Sequence, residues 1–417
     1  MTALNDRDTL FSFVYDTVEQ TPILDMHTHI YPPAFGELLL WGVDELLTYH
    51  YLAAEYFRYS DMKPEEFFKL GKTKQAELIW KALFIDHSPI SESNRGVLTV
   101  LDRLELEPGT RDLTAFREYF ASQKVEDYVD RVFEEANVEA VVMTNDPFDD
   151  LERPTWERGE GASDPRFRAA LRIDPILMAW ESTSEKMAAW GYKTSKNLDQ
   201  KTLDEISRFL EDWIGRMKPL YLAVSLPPSF RFPEDSPRAK IIENCILPVC
   251  RKMGLPFAMM IGVNKLINPR LGLAGDGVGK SDMGTVERLA AGFPDNKFLV
   301  TFLSRENQHE ACIMARKFAN VMLFGCWWYM NNPSIIGEIT AERIELLGTS
   351  FVPQHSDARV LDQLIYKWAH SRELIAGVLA EKYDDILRSG WEPTEEEIRR
   401  DVANLFGGNF KRFVGWS

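Results

Sequence analysis

The chain has 417 residues, 45% of them hydrophobic and 27% charged, which is the composition of a globular protein with a large core and not of a disordered, collagenous or coiled-coil chain. Its 48 Lys and Arg against 64 Asp and Glu leave a net charge of −16, which opposes phosphate backbones and anionic lipid, so neither nucleic acid nor a membrane is an expected partner. No apolar run reaches the roughly 18 residues of a spanning helix, Met1 to Leu10 lack the blocks of a signal peptide, and Cys245, Cys250, Cys312 and Cys326 form no CxxC pair, so a reduced, cytoplasmic setting is expected.

In chain order, short apolar runs rich in β-branched residues predict strands over Ile23 to His29, Val138 to Asn145, Phe167 to Asp174, Tyr221 to Leu226, Pro256 to Gly262, Phe298 to Leu303, Val321 to Trp328 and Thr349 to Gln354. Most are followed by a segment of helical periodicity. Buried parallel strands alternating with helices, eight times over, predict an α/β fold of the closed (β/α)8 barrel type rather than two or three domains. A doubly wound open sheet is the rival, disfavoured because no Gly-rich phosphate turn follows the first strand. The spacing is uneven once: residues 34–135 read as helices, as over Val43 to Arg58, Pro64 to Phe84 and Val125 to Glu135. They predict a helical insertion after the first strand, on the face where barrel active sites lie, within a single domain spanning 1–417. At the other end, Thr394 and Glu397 form a capping box for a helix that Gly407 and Gly408 can stop.

The chemistry sits at strand ends. Alternation sends His27 and His29 to one face, into the barrel mouth, where two imidazoles can reach one metal ion; the plainer alternative is two hydrogen-bonded histidines at a strand end. The last predicted strand runs into Asp357 and Arg359, and because strands one and eight adjoin in a closed barrel, Asp357 can be a third ligand or a base beside the metal. A local ion pair between Asp357 and Arg359 is the bland reading. Arg172 ends the third strand, Arg305 follows the sixth, and Trp327 and Trp328 end the seventh; each alone reads as a cap, an ion pair or packing, and only their convergence argues for a site. Tyr49, His50 and Tyr51 fall on a helix whose Leu47, Tyr51, Glu55 and Arg58 make a packing stripe. Cys326 reads as a buried small hydrophobe, and His87, His309 and His370 as surface or helix residues.

His27-Thr28-His29, His50-Tyr51, Gly325-Cys326-Trp327-Trp328 and Ser356-Asp357-Ala358-Arg359, in that order and spacing, resemble the uronate isomerases of the amidohydrolase superfamily. The resemblance covers nearly the whole chain. It implies a distorted (β/α)8 barrel that interconverts D-glucuronate with D-fructuronate and D-galacturonate with D-tagaturonate. Many members of the superfamily carry a His at the end of strand five, where this chain has Met259, Met260, Ile261 and Gly262. The chain therefore resembles the divergent branch that binds a single zinc through two strand-one histidines and the strand-eight aspartate, here His27, His29 and Asp357.

An aldose–ketose conversion through an enediol needs a base and a group that stabilises oxyanion charge. Asp357 is the candidate base, with Arg359 and Tyr51 at the enediolate oxygens, Arg172 at the substrate carboxylate, and His50 and Arg305 as weaker partners for it. The alternatives are a metal-dependent hydrolase, against which strands four to six offer only Ser225, Met260 and Thr301, and a non-catalytic sugar-acid binding protein. The expected partner is a small uronic acid, and a homo-oligomer is compatible with the sequence.

Overall fold

The computed structural model describes residues 4–416. Its strands, in chain order, are β1 (Ile23–Thr28), β2 (Val138–Asn145), β3 (Phe167–Arg172), β4 (Leu222–Leu226), β5 (Phe257–Ile261), β6 (Val263–Asn264), β7 (Gly277–Val278), β8 (Phe298–Phe302) and β9 (Val321–Leu323). Seven of them form one curled parallel sheet in the order β1-β2-β3-β4-β5-β8-β9, and β6 and β7 make a small antiparallel hairpin between β5 and β8. Two-residue strands are too short to show a period, and the hairpin has no counterpart among the predicted elements.

Alternation along the strands builds two layers. Leu24, Ala140, Ala170, Ala223, Ala258 and Met322 pack inside the sheet's curl, while their neighbours Ile23, Val141, Leu171, Leu222, Phe257 and Val321 face the helices. Small alanines on the inner face let the sheet curl tightly, and Met26, Met260 and Met322 fill what remains. The floor is closed from below by Phe410 and Val414. The capping box of Thr394 and Glu397 is present, and the helical backbone it starts is broken at Gly407 (φ 160°, ψ −33°), as the sequence predicts; a further short helix, Asn409–Val414, follows the break. Leu24 Cβ packs so near Gly407 that an added Cβ would lie 3.0 Å from it.

The eighth strand is shorter than predicted. Of Thr349 to Gln354, only Val352 bridges the sheet, to Phe324. Pro353 has no N–H to continue the ladder. Closure onto β1 is made beyond it, by Asp357 N donating to His27 O at 3.1 Å and His29 N donating to Ala358 O at 2.7 Å. The predicted seventh strand likewise ends early. At Gly325 φ is 63° and a Cβ would lie 1.7 Å from His355 Nδ1, so the chain turns there, and Trp327 and Trp328 sit at the start of a short 3-10 turn, Trp328–Met330, outside the strand. Between β1 and β2 the chain is helical, with one isolated bridge from Leu40 to Val360. The continuous helix over Val43 to Arg58 is not seen. Val43–Leu47 and His50–Tyr56 are separate helices with extended backbone at Tyr49, so Leu47 and Tyr51 share no helical stripe.

Candidate active site

Strict alternation from inward-facing Met26 would turn His27 outward. A bulge prevents this: Asp25 pairs with Val141 and Thr28 with Met143, three residues' advance against two. The extra residue re-aims His27 into the barrel, a common use of bulges beside active sites. There its Nδ1 lies 3.3 Å from Tyr221 Oη, whose own proton is donated to Met26 O at 2.7 Å. Tyr221 must therefore accept from His27 Nδ1–H. His29 repeats the device: Nδ1 lies 2.8 Å from Thr144 Oγ1, whose proton goes to Thr28 O at 3.0 Å. Both imidazoles are thus held as the tautomer with a lone pair on Nε2.

Those lone pairs point at a third acceptor. Asp357 Oδ1 lies 3.5 Å from His27 Nε2 and 3.3 Å from His29 Nε2. With the Nδ1 protons committed elsewhere, no proton is left to bridge them, and buried His27 Nε2 and Asp357 Oδ1 have no hydrogen-bond partner among the described residues. Three acceptors, those of His27 and Asp357 buried and that of His29 partly buried, converging without a donor are stable only around a cation. Their ligand atoms lie within 4.8 Å of one another. Two imidazole nitrogens and a carboxylate, with no fourth protein ligand among the described residues, fit a catalytic divalent metal site with open positions. Burial, and after it the charge of Arg359, pushes His29 down to about 3, so it is neutral and fit to ligate.

Above this group, at the C-terminal mouth of the sheet, opens a cavity of about 290 Å³ walled by Arg172, Ser225, Met260, Lys265, Trp327, Trp328 and Arg359. Its cations differ in availability. Arg172 is held bidentately by Asp174, at 3.0 and 3.1 Å, and Asp174 also accepts from Ser225 N at 3.1 Å. Lys265 pairs with Asp276 at 2.8 Å. Arg359 donates only its backbone N–H, to Gln363, so among the described residues its guanidinium is without a partner.

The chain's likeness to solved structures decides its family. A uronate isomerase from Bacillus halodurans superposes with a TM-score of 0.98 at 58% sequence identity, over 100% of this chain and 98% of that one. The chain belongs to the uronate isomerase family. A uronate isomerase from Thermotoga maritima (16% identity, TM-score 0.75, 99% of this chain and 100% of that one) and a glucuronate isomerase from Caulobacter crescentus (15%, 0.77, 99% and 95%) share the fold. No protein-family model and no curated protein sequence matches.

Set in a uronate isomerase barrel, the residues singled out in the sequence divide. His27, His29, Asp357, Arg359, Arg172, Trp327 and Trp328 meet at one cavity. Arg305 does not. It opens a short turn after β8, is half exposed, and pairs outward with Glu338 at 2.8 Å, away from the mouth. His50 and Tyr51 lie one layer back. His50 packs edge-on against Trp328 and lines an adjoining cavity of about 380 Å³ that shares Arg359. Tyr51 stacks on Tyr329, with its buried hydroxyl partnerless among the described residues. Burial pushes His50 down to about 3 and Tyr51 well above the phenol range, so His50 is neutral and Tyr51 remains a donor.

Sequence reasoning missed Tyr221 and Thr144, whose roles depend on the bulge in β1, and Lys265, carried by the unpredicted hairpin. It also passed over His355. That ring is fully buried, 5.1 Å from the ring of His27, with both nitrogens partnerless among the described residues, and only the closeness of His355 to Asp357 in sequence could have drawn notice.

Proposed function

We propose that the protein is a uronate isomerase interconverting D-glucuronate with D-fructuronate and D-galacturonate with D-tagaturonate, with one zinc ion held by His27, His29 and Asp357. The observation that carries this reading is the full-length likeness to the B. halodurans uronate isomerase. The site's chemistry agrees with it. When bound, the metal supplies Lewis-acid polarisation of a substrate oxygen. The remaining roles belong to this chain's own groups. The Asp357 carboxylate takes the C2 proton and returns it to C1. Arg359, the cation without a partner, faces the negative charge that develops on the enediolate oxygens, whereas Tyr51, one layer back with its hydroxyl buried, does not line the cavity. Arg172, its charge partly met by Asp174, is the partner for the substrate carboxylate, a planar fork meeting a planar anion. Trp327 and Trp328 present apolar walls that limit access of water. A cavity of about 290 Å³ lies at the small end of ligand pockets, sized for a single sugar acid and not for a polymer.

A hydrolase is the weaker reading, since the inner positions of β4, β5 and β8 offer Ser225, Met260 and Thr301, none a strong metal ligand. The four free, buried cysteines support a reducing compartment, for which we propose the cytoplasm. Among the described residues no helix is long and apolar enough to cross a membrane.

The test is to supply the zinc-loaded protein with each uronate and follow ketose formation by NMR, with a hydrolysis screen alongside. Ketose from either acid supports the proposal. Binding without conversion points to a sugar-acid binding protein and ends it, as does hydrolysis without isomerisation.

A further inference from the structure

Asp357 reaches the two histidines only because its backbone adopts a conformation that non-glycine residues seldom take, with φ at 51°. What holds it there is a set of bonds on the neighbouring peptides. Asp357 N–H donates to His27 O. Ser356 N–H donates to both carboxylate oxygens of buried Asp25, at 3.1 and 3.2 Å, and Asp25 is fixed in turn by Trp368 Nε1 at 2.9 Å. The carbonyl of the Ser356–Asp357 peptide accepts from Asn331 Nδ2 at 3.1 Å and from Lys367 Nζ at 2.5 Å.

Lys367 is the anomalous member. Its side chain is buried, 3% exposed, and its ammonium has that one carbonyl as its hydrogen-bond partner and forms no ion pair among the described residues. Burial draws it down to about 8, against the opposing pull of Asp357 and Asp25. An ammonium in a dry interior with a single neutral acceptor carries a large desolvation cost, whereas a methionine of similar length would occupy the space without it. The carbonyl would not be orphaned by such a change, since Asn331 still donates to it. Stability therefore does not account for the charge. Its position does, because the peptide it grips is the one whose rotation sets the direction of the Asp357 side chain.

We propose that Lys367 is a positioning residue for Asp357, its ammonium locking the Ser356–Asp357 peptide so that the carboxylate is presented to the metal position shared with His27 and His29. The inference rests on reading those three side chains as metal ligands.

The test compares the full-length parent with Lys367→Met and Lys367→Gln. Zinc affinity is measured by competition with a chelator, the absorption spectrum is taken after cobalt(II) substitution, and the melting temperature is taken on metal-free protein. The expected result is zinc binding weakened ten- to a hundredfold in both variants, as for other groups that orient a ligand. The cobalt spectrum should change, and the metal-free Lys367→Met protein should melt no lower than the parent. At saturating zinc, kcat should fall with KM within twofold of the parent. Parent-like zinc affinity and cobalt spectrum in both variants would overturn the proposal, with or without a lower melting temperature, and would leave Lys367 a packing residue. A parent that binds neither zinc nor cobalt would overturn it differently, by removing the ligand set itself.

Discussion

Tyr221→Phe isolates the claim that the histidines are prepared as metal ligands by their Nδ1 partners. The ring of Tyr221 is fully buried, and the substitution keeps its packing, including the edge contact with Phe410 at 6.1 Å, while deleting one oxygen. That oxygen serves two buried groups, accepting from His27 Nδ1–H and donating to Met26 O. Each group stranded in a dry interior costs about 1–3 kcal/mol, so the metal-free variant should lose a few kcal/mol of stability. The diagnostic effect lies elsewhere. Without its acceptor, His27 can move its proton to Nε2 or turn its ring, and either change removes the lone pair aimed at the metal position. Loss of such a partner weakens metal binding ten- to a hundredfold, or about 1.4–2.7 kcal/mol. Zinc titration against a competing chelator, beside denaturant unfolding of the metal-free protein, separates the two effects. If the variant is destabilised as expected yet binds zinc as tightly as the parent, Tyr221 does not set the tautomer, and the reading of Nε2 as a ligand loses its main support.

The cations of the mouth give contrasting expectations. Arg359→Met should lower kcat/KM by about 10²–10³-fold, the usual loss for a group facing developing negative charge, with zinc content unchanged by metal analysis. Lys265→Met should raise KM by about tenfold with little effect on kcat, because Lys265 stands at the rim and its charge is shared with Asp276, whereas Arg305→Met should leave steady-state kinetics unaltered. Burial raises Glu152 from 4.5 to about 7, while Asp146 N–H and the Tyr31 hydroxyl bond its carboxylate. The folded protein then holds a proton that the unfolded chain has released between these values, so this group's contribution is full below about pH 4.5 and is lost as pH rises through 7. Glu152→Gln should remove a decline of at most about 3 kcal/mol between those limits, read as the difference between the two proteins' denaturation curves across pH.

The barrel is legible in the sequence where strands are buried on both faces, since continuous apolar runs such as Phe257–Ile261 and Phe298–Phe302, too short for a helix and bounded by turns, fit little but a covered parallel strand. Inward positions can also be counted from alternation on β3, β4 and β5, which puts Arg172, Ser225 and Met260 at the mouth. Strand eight is less legible, because Pro353 interrupts its ladder and closure is made by Asp357 and Ala358 beyond it. Counting alone fails on β1. His27 faces inward through a bulge that one sequence does not reveal, so the two histidines converge by a device that simple alternation does not contain. Arg305 misleads because nearness to a strand end fixes a residue's height in the barrel but not the direction of its side chain, which here is drawn outward by Glu338. Of the groups behind them, Tyr221, Thr144 and Asp25 come from elements distant in sequence from the residues they orient, and Lys367 from the helix that follows, and no local pattern marks any of them.

The central claim is that this site moves a proton between C2 and C1 of a uronate. Conversion of D-glucuronate by the zinc-loaded protein in deuterated water, followed by NMR to equilibrium, addresses it directly. The account predicts D-fructuronate carrying deuterium at C1, and deuterium at C2 of the glucuronate re-formed from it. Glucuronate left unconverted, or ketose still free of deuterium after many rounds of interconversion, would contradict it.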